Sequence, residues 1–126
     1  MQNKIVVVTG GCGFIGSHLV DLLIENDFSV RVIDNLAGGH ISNIKEHFND
    51  SRLTFYQEDI LNLKPDSEIF KDATYVFHLA GIGDIVPSIE NPVSYMNVNI
   101  QGTVKVLECA RRSKIKKFVY AASSSC

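Results

Sequence analysis

The apolar residues of this chain gather in five short runs that are separated by longer amphipathic or polar stretches. The runs are rich in β-branched and aromatic side chains, as are strands that are buried on both faces. They predict strands at residues 4–9, 28–33, 53–57, 74–79 and 117–122.

Two amphipathic stretches between these runs have the spacing of helices. In the first, residues 14–26, the apolar side chains at helical spacing are Ile15, Leu19, Leu22 and Leu23. The second begins at Asn91 and Pro92, a capping residue followed by a proline, and extends to residue 113. Its apolar stripe consists of Met96, Ile100, Val104 and Leu107. Residues 36–50 are polar and contain glycine, which predicts a loop with a short helix.

The alternation of strands and helices predicts an α/β fold, because parallel strands are joined by right-handed helical crossovers. We expect a Rossmann-type parallel sheet with strand order 3-2-1-4-5 and helices on both faces. A ligand of such a sheet binds at the carboxyl ends of strands 1 and 4, where the strand order reverses. A chain of 126 residues is long enough for one such domain, residues 1–126.

Composition and charge remove several classes of function. The net charge of -2 and the pI near 6.0 give no basic surface for nucleic acid or for an anionic membrane. The apolar runs are far shorter than the roughly 20 residues of a membrane span, and no signal peptide is visible.

The scattered Cys12, Cys109 and Cys126 predict free thiols in a reducing cytoplasm. The four histidines, at positions 18, 40, 47 and 78, lack metal or catalytic spacing; we interpret them as surface or packing residues and expect no metal.

The most specific motif is the glycine-rich segment T-G-G-C-G-F-I-G at residues 9–16, between the first strand and the first helix. Its glycines fit G-x-G-x-x-G from position 11 and G-x-x-G-x-x-G from position 10. In either spacing, Gly13 leaves room for a pyrophosphate and Gly16 lets the helix approach the strand. The amides of Phe14 and Ile15 are expected to point at the phosphates from the positive end of the helix.

An acidic residue, Asp34, closes the second strand roughly 20 residues after the glycines, as in a dinucleotide-binding fold. Its carboxylate can accept hydrogen bonds from both ribose hydroxyls of NAD. The same charge repels a 2′-phosphate, by roughly 4 kcal/mol for unit charges about 4 Å apart at an effective dielectric near 20. No arginine or lysine lies between Asp34 and Ile44 to accommodate that phosphate. The sequence therefore predicts NAD rather than NADP as the cofactor.

Taken together, the motifs resemble those of the extended short-chain dehydrogenase/reductase family, which includes the NAD-dependent nucleotide-sugar epimerases and dehydratases. Residues 9–16 resemble its T-G-G-x-G-F-I-G and select the spacing that begins at Gly10, and residues 34–36 resemble its D-N-L. The segment H-L-A-G at residues 78–81 resembles the family's H-x-A-[AG] after strand 4. Residues 88–103 follow its S-x-x-x-P…Y…N-x-x-G-T, and residues 118–125 resemble its serine-rich end of strand 5.

This resemblance implies roles for residues outside the glycine-rich segment at residues 9–16. The cofactor site that it implies extends from Asp34 to Asn35, Asp59, Ile60, Leu79, Ala80, Gly81 and Asn99. Asp59 and Ile60 would lie against the adenine, and residues 79–81 would line the nicotinamide side. Asn99 would help to hold the neighbouring backbone and the cofactor. The implied catalytic hydroxyl, which binds the substrate oxygen, is that of Ser123, or of Ser124 if the alignment shifts by one residue.

One departure from the family limits what this chain is expected to do alone. The family's base is the tyrosine of a Tyr-x-x-x-Lys pair on the helix after strand 5, where the lysine lowers the pKa of the phenol. None of the four tyrosines of this chain is followed four residues later by lysine. We therefore expect an N-terminal part of a longer enzyme, truncated after strand 5 and inactive alone. A smaller departure is Gly83, where many relatives carry a polar or basic side chain near the cofactor.

For the longer protein, the resemblance implies a homodimer that epimerises a UDP-hexose at C4 by transient oxidation. A 4,6-dehydratase or decarboxylase of the same family is one alternative. Dehydratases carry an Asp-Glu pair directly after the catalytic hydroxyl, where this chain has Ser124 and Ser125, and this difference favours the epimerase. A non-catalytic, NAD-binding regulatory module is another alternative, and it is consistent with the missing Tyr-x-x-x-Lys.

Overall fold

A computed structural model describes residues 4–81 and 89–121, which contain a five-stranded sheet. Its strands are β1 (Ile5–Thr9), β2 (Ser29–Asp34), β3 (Leu53–Gln57), β4 (Ala73–His78) and β5 (Lys117–Tyr120). They pair in parallel in the order β3-β2-β1-β4-β5. The predicted Rossmann-type sheet is therefore confirmed, with the apolar β1 at its centre.

Helix α1 (Phe14–Glu25) covers one face of the sheet. Its buried residues are Gly16, Ser17, Val20, Leu23 and Ile24. The predicted stripe was wrong at Ile15 and Leu22, whose side chains are 70% and 55% exposed. Small residues at positions 16 and 17 let α1 lie close to the glycine loop, and this close contact turns the helix so that Ile15 faces outward.

The other face is covered by a helical segment with an irregular middle. It comprises α2 (Pro92–Met96), a π-helical turn (Asn97–Gly102) and α3 (Thr103–Arg112). The continuous helix predicted from residue 91 to residue 113 is thus interrupted by the π turn. The turn lies where Gly102 contacts Ile60 so closely that a Cβ on Gly102 would be 2.5 Å from Ile60 Cδ1. Beyond it, α3 packs on the sheet through Val106, Cys109 and Ala110.

Short 3-10 helices complete the connections, at Ile41–His47, Ile60–Asn62 and Glu68–Phe70. The first of them is the short helix predicted within residues 36–50. Strand β4 begins and ends one residue earlier than predicted, and β5 ends at Tyr120 rather than at residue 122, which lies outside the described residues. None of the helices in the described ranges combines the length and the apolar character that a membrane span needs.

Candidate functional site

A cleft of about 400 Å³ opens at the carboxyl ends of β1, β2 and β4. This is where the strand order reverses between β1 and β4, and where a Rossmann-type sheet binds its ligand. The predicted cofactor residues that line the cleft are Gly10, Gly13, Asp34, Asn35, Asp59, Ile60, Leu79, Ala80 and Gly81. The other predicted residues are not among those that line the cleft: Phe14, Ile15 and Gly16 form the start of α1 directly after Gly13, and Asn99 lies against Gly81.

Packing requires glycine at two positions of the loop between β1 and α1 (residues 10–13, the glycine loop) and at Gly16 of α1. Gly10 has a φ of +73°, in the left-handed region, and a Cβ there would lie 2.8 Å from the amide nitrogen of Ala80. A Cβ on Gly16 would lie 2.1 Å from the carbonyl oxygen of Gly10. Both neighbours are backbone atoms, so neither clash can be relieved by rotating a side chain. Gly11 is also tight, since a Cβ there would lie 2.6 Å from Cγ1 of Val32.

Gly13 differs from these glycines because its protein surroundings leave room for a side chain. Among the described residues, a Cβ on Gly13 would meet only the carbonyl oxygen of Gly10, at 3.4 Å. Gly13 is the N-cap of α1, no side chain caps the helix there, and its first turn has no acidic residue. Because Gly13 lines the cleft, the uncapped N-terminus of α1 begins at the cleft wall, beside an open position, and this is an arrangement that favours an anion.

Backbone amides hold the carboxylate of Asp34 beside the glycine loop. Oδ2 accepts a hydrogen bond from the amide of Cys12 at 2.9 Å, and Oδ1 accepts one from the amide of Leu36 at 2.8 Å. Asp34 is 8% exposed. Each carboxylate oxygen can accept a further hydrogen bond, so the fixed carboxylate retains acceptor positions for a diol.

Cys12 contributes its backbone to the site rather than its thiol. Burial, with a smaller contribution from the charge of Asp34, raises the pKa of the Cys12 thiol to about 12. The thiol is therefore protonated at neutral pH and is not a nucleophile. The Cys12 carbonyl accepts hydrogen bonds from the amide of His40 at 3.0 Å and from Nδ2 of Asn43 at 2.8 Å.

The loop after β2 is a part of the site that the sequence analysis missed. A Cβ on Gly39 would lie 2.8 Å from the carbonyl carbon of Cys12, so this loop packs directly on the glycine loop. Ala37, Gly38 and Gly39 line the cleft beside Asp34. The available signal was the pair Gly38 and Gly39, which follows the acidic end of β2 after three intervening residues.

On the remaining side, Asp59 and Ile60 lie at the start of a 3-10 turn. Oδ1 of Asp59 accepts a hydrogen bond from the amide of Leu61 at 2.9 Å, which caps that turn. Ile60 is buried and contacts Gly102 of the π turn. Asp59 is therefore an ordered capping residue in the cleft wall, and its contact with the adenine stays a prediction.

Two histidines have partners that local spacing does not reveal, so interpreting all four as ordinary surface or packing residues was incomplete. The ring of His78 is buried between Thr9, whose Oγ1 lies 2.6 Å from Nδ1, and Thr103, whose Oγ1 lies 2.8 Å from Nε2. Burial lowers the pKa of His78 to about 4. Nε2 of His47 lies 2.6 Å from Oδ1 of Asp21. Together with Glu46, these two residues offer three potential metal-ligand atoms that all lie within 4.8 Å of one another.

The predicted catalytic hydroxyl is in another part of the chain. Ser123, the alternative Ser124, and Gly83 all lie outside the described residues. The described site therefore consists of the cleft and the loops that support it.

Comparison with known proteins gives a consistent set of relatives. The family model described as NAD dependent epimerase/dehydratase family matches residues 6–126. A Methanocaldococcus jannaschii protein, described provisionally as a UDP-glucose 4-epimerase, is 42% identical over 94% of this chain and 37% of its own length.

Solved structures agree with this result. A UDP-N-acetylglucosamine 4-epimerase from Methanobrevibacter ruminantium, in complex with UDP-N-acetylmuramic acid, is 41% identical with a TM-score of 0.90, over 99% of this chain and 39% of its own. A dTDP-glucose 4,6-dehydratase from Streptomyces venezuelae, with NAD bound, is 29% identical with a TM-score of 0.85. This match covers 91% of the present chain and 38% of the dehydratase chain. The chain thus spans less than half the length of each of these three proteins.

Proposed function

The chain belongs to the NAD-dependent epimerase/dehydratase family, and we propose that its cleft binds NAD between the glycine loop and Asp34. The observation that carries this proposal is the open position at Gly13, beside the uncapped amide end of α1. A pyrophosphate fits there, because it supplies the negative charge that the helix end favours and occupies the space that a side chain would fill.

The fixed carboxylate of Asp34 supports NAD over NADP. It can accept hydrogen bonds from the 2′- and 3′-hydroxyls of the adenosine ribose, and it would repel a phosphate on the 2′-oxygen. The nearest loop offers no compensating cation, since residues 35–44 contain neither arginine nor lysine. With the ribose at Asp34 and the pyrophosphate at Gly13, the rest of the dinucleotide extends toward residues 79–81.

For the longer protein, we propose epimerisation of a UDP-hexose at C4. When bound, NAD supplies reversible acceptance of a hydride from the sugar carbon. The residues of this chain hold the adenosine ribose and the pyrophosphate, and Ser123 positions the substrate oxygen for proton transfer. The relatives named as 4-epimerases support this reaction, as do Ser124 and Ser125 in the positions where dehydratases carry acid–base residues.

The free thiols of Cys12 and Cys109 are consistent with a cytoplasmic protein.

The isolated 126-residue chain is expected to be inactive, because it contains no Tyr-x-x-x-Lys pair to take the proton. Neither UDP-glucose nor UDP-N-acetylglucosamine should be converted to its C4 epimer in an NMR assay with added NAD. A longer protein that contains this chain and such a pair should carry out the conversion. Turnover by the isolated chain would refute the requirement for the tyrosine base, and inactivity of the longer protein despite the pair would refute the epimerase proposal.

We further propose that the longer protein is a homodimer that pairs through the exposed apolar stripe of the second helical segment. The side chains that form this stripe are Val93, Met96, Ile100, Val104 and Leu107, which are between 43% and 61% exposed. They recur at intervals of three and four residues, so they form one continuous face. A face of this kind is typical of a helix that packs on a partner.

Charges in the centre of this stripe are expected to separate the dimer. In the longer protein, the double substitution Ile100→Glu and Val104→Glu should halve the mass measured by sedimentation equilibrium. Lys105→Glu, at an exposed polar position of the same helix, is the matched control and should leave the dimer intact. An unchanged mass for the double variant would exclude this interface.

A further inference from the structure

His78 connects two threonines from different parts of the fold, and the direction of each hydrogen bond can be deduced. Oγ1 of Thr103 lies 2.7 Å from the carbonyl oxygen of Asn99 and 2.8 Å from Nε2 of His78. A carbonyl oxygen can only accept, so the single hydroxyl proton of Thr103 is donated to Asn99. The Thr103 oxygen must then accept from His78, which requires a proton on Nε2.

The other side of the ring agrees with the same tautomer. Oγ1 of Thr9 accepts a hydrogen bond from the backbone amide of Ala80 at 3.1 Å, and the amide of Leu79 is shared between Oγ1, at 3.1 Å, and the carbonyl oxygen of Thr9, at 3.0 Å. Both amides approach the hydroxyl oxygen as donors, which directs the hydroxyl proton to Nδ1 of His78, 2.6 Å away. Nδ1 then accepts and carries no proton of its own. The contacts of Thr103 thus specify the imidazole form with the proton on Nε2, and those of Thr9 agree with it.

This chain of hydrogen bonds joins two walls of the cofactor cleft. At one end are the amides of Leu79 and Ala80, which line the cleft, and at the other is Asn99 in the π turn. The walls meet at Gly81, where a Cβ would lie 3.1 Å from Oδ1 of Asn99. His78 itself is 1% exposed and its ring stacks on that of Tyr120, so the connection is shielded from water. Shielding strengthens a satisfied hydrogen-bond chain and makes a missing member costly.

We propose that His78 is a positioning residue for the cofactor. Its ring, in a single tautomer, ties residues 79–80 to the π turn, because it bonds to Thr9 on one side and to Thr103 on the other. The tie holds residues 79–81 and Asn99 in the arrangement that receives the nicotinamide half of NAD. This proposal rests on the proposed NAD site. The adenosine half has its own support at Asp34, whose carboxylate is held by the amides of Cys12 and Leu36. Loss of the tie should therefore weaken the binding of NAD but not that of ADP.

A pair of substitutions at Thr103 isolates the hydroxyl from the volume of the side chain. Thr103→Val removes the hydroxyl at nearly constant volume, and it leaves Nε2–H of His78 facing a methyl group. Thr103→Ser keeps the hydroxyl. By calorimetry on the 126-residue chain, the Kd for NAD should rise about tenfold in the valine variant, while the Kd for ADP changes less than about twofold. The serine variant should bind NAD within about threefold of the wild type.

The tautomer itself can be measured in the wild-type chain, even if the valine variant fails to fold. Two-bond ¹⁵N–¹H correlation spectra at neutral pH should show His78 with a protonated Nε2 and an unprotonated Nδ1. The signals are assigned by their loss in His78→Gln.

The outcomes separate this proposal from the proposed function. A proton on Nδ1 in a chain that binds NAD overturns the positioning role alone. Equal weakening of NAD and ADP in a folded Thr103→Val variant, or unchanged NAD affinity, also overturns it. A wild-type chain that binds neither nucleotide overturns the NAD site, and the role of His78 with it.

Discussion

Replacing Gly16 by alanine is expected to lower the free energy of unfolding by about 3 kcal/mol or more, and to abolish measurable NAD binding. The added Cβ would lie 2.1 Å from the carbonyl oxygen of Gly10, and 2.9 Å from the carbonyl carbon of Gly10 and from the Cα of Gly11. All three atoms belong to the backbone. The clash can therefore be relieved only by moving α1 away from the loop, which would displace the amide end of the helix from the cleft.

Gly38→Ala is the matched stability control for this substitution. A Cβ on Gly38 has nothing within 4 Å among the described residues. The same chemical change should therefore alter the free energy of unfolding by less than about 0.5 kcal/mol. Urea unfolding of both variants and NAD calorimetry of Gly16→Ala measure the effects. A Gly16→Ala variant as stable as the wild type would show that the helix and the loop are not in the contact described.

The second large effect concerns the choice between NAD and NADP. The wild-type chain should bind NAD at least about a hundredfold more tightly than NADP, because the 2′-phosphate would be placed against the carboxylate of Asp34. The Coulomb estimate of roughly 4 kcal/mol corresponds to about three orders of magnitude, and screening by solvent and salt reduces it. Asp34→Asn removes the charge and should reduce the preference to about tenfold or less.

Asp66→Asn is the control for the loss of one negative charge, because Asp66 is exposed and does not line the cleft. This variant should keep the full preference for NAD. Isothermal titration of the three proteins with both dinucleotides at one salt concentration gives the ratios. Tighter binding of NADP than of NAD by the wild type would remove the assigned role of Asp34.

The topology was predictable from sequence because it depends on features that are local in the chain. Continuously apolar runs indicate strands that are buried on both faces, and alternation with helices restricts these strands to parallel crossovers. The observed order, β3-β2-β1-β4-β5, is the one that such crossovers and the glycine motif predict together. The orientation of α1 was predicted less well. Its buried face depends on the contact of Gly16 with the glycine loop, which is tertiary.

The cleft was predictable to the extent that its residues belong to motifs. The glycine loop, Asp34 and residues 79–81 line it as expected. Asn43 was missed because its side chain binds the Cys12 carbonyl, 31 residues earlier in the chain. The partners of His78 lie 69 and 25 residues away, and only folding brings them to the same ring. The π turn was also missed; it contains Gly102, whose close contact with Ile60 joins residues that are distant in the sequence.

The central claim is that the glycine loop and Asp34 hold NAD, and amide chemical shifts during a titration test it most directly. Addition of NAD to the ¹⁵N-labelled chain should shift the amides of residues 13–16, 34–36 and 79–81, with one common Kd. ADP should reproduce the shifts at the first two segments and leave residues 79–81 nearly unchanged. Saturable shifts that are confined to the apolar stripe of the second helical segment, or the absence of saturable shifts in the glycine loop, would contradict the proposed site.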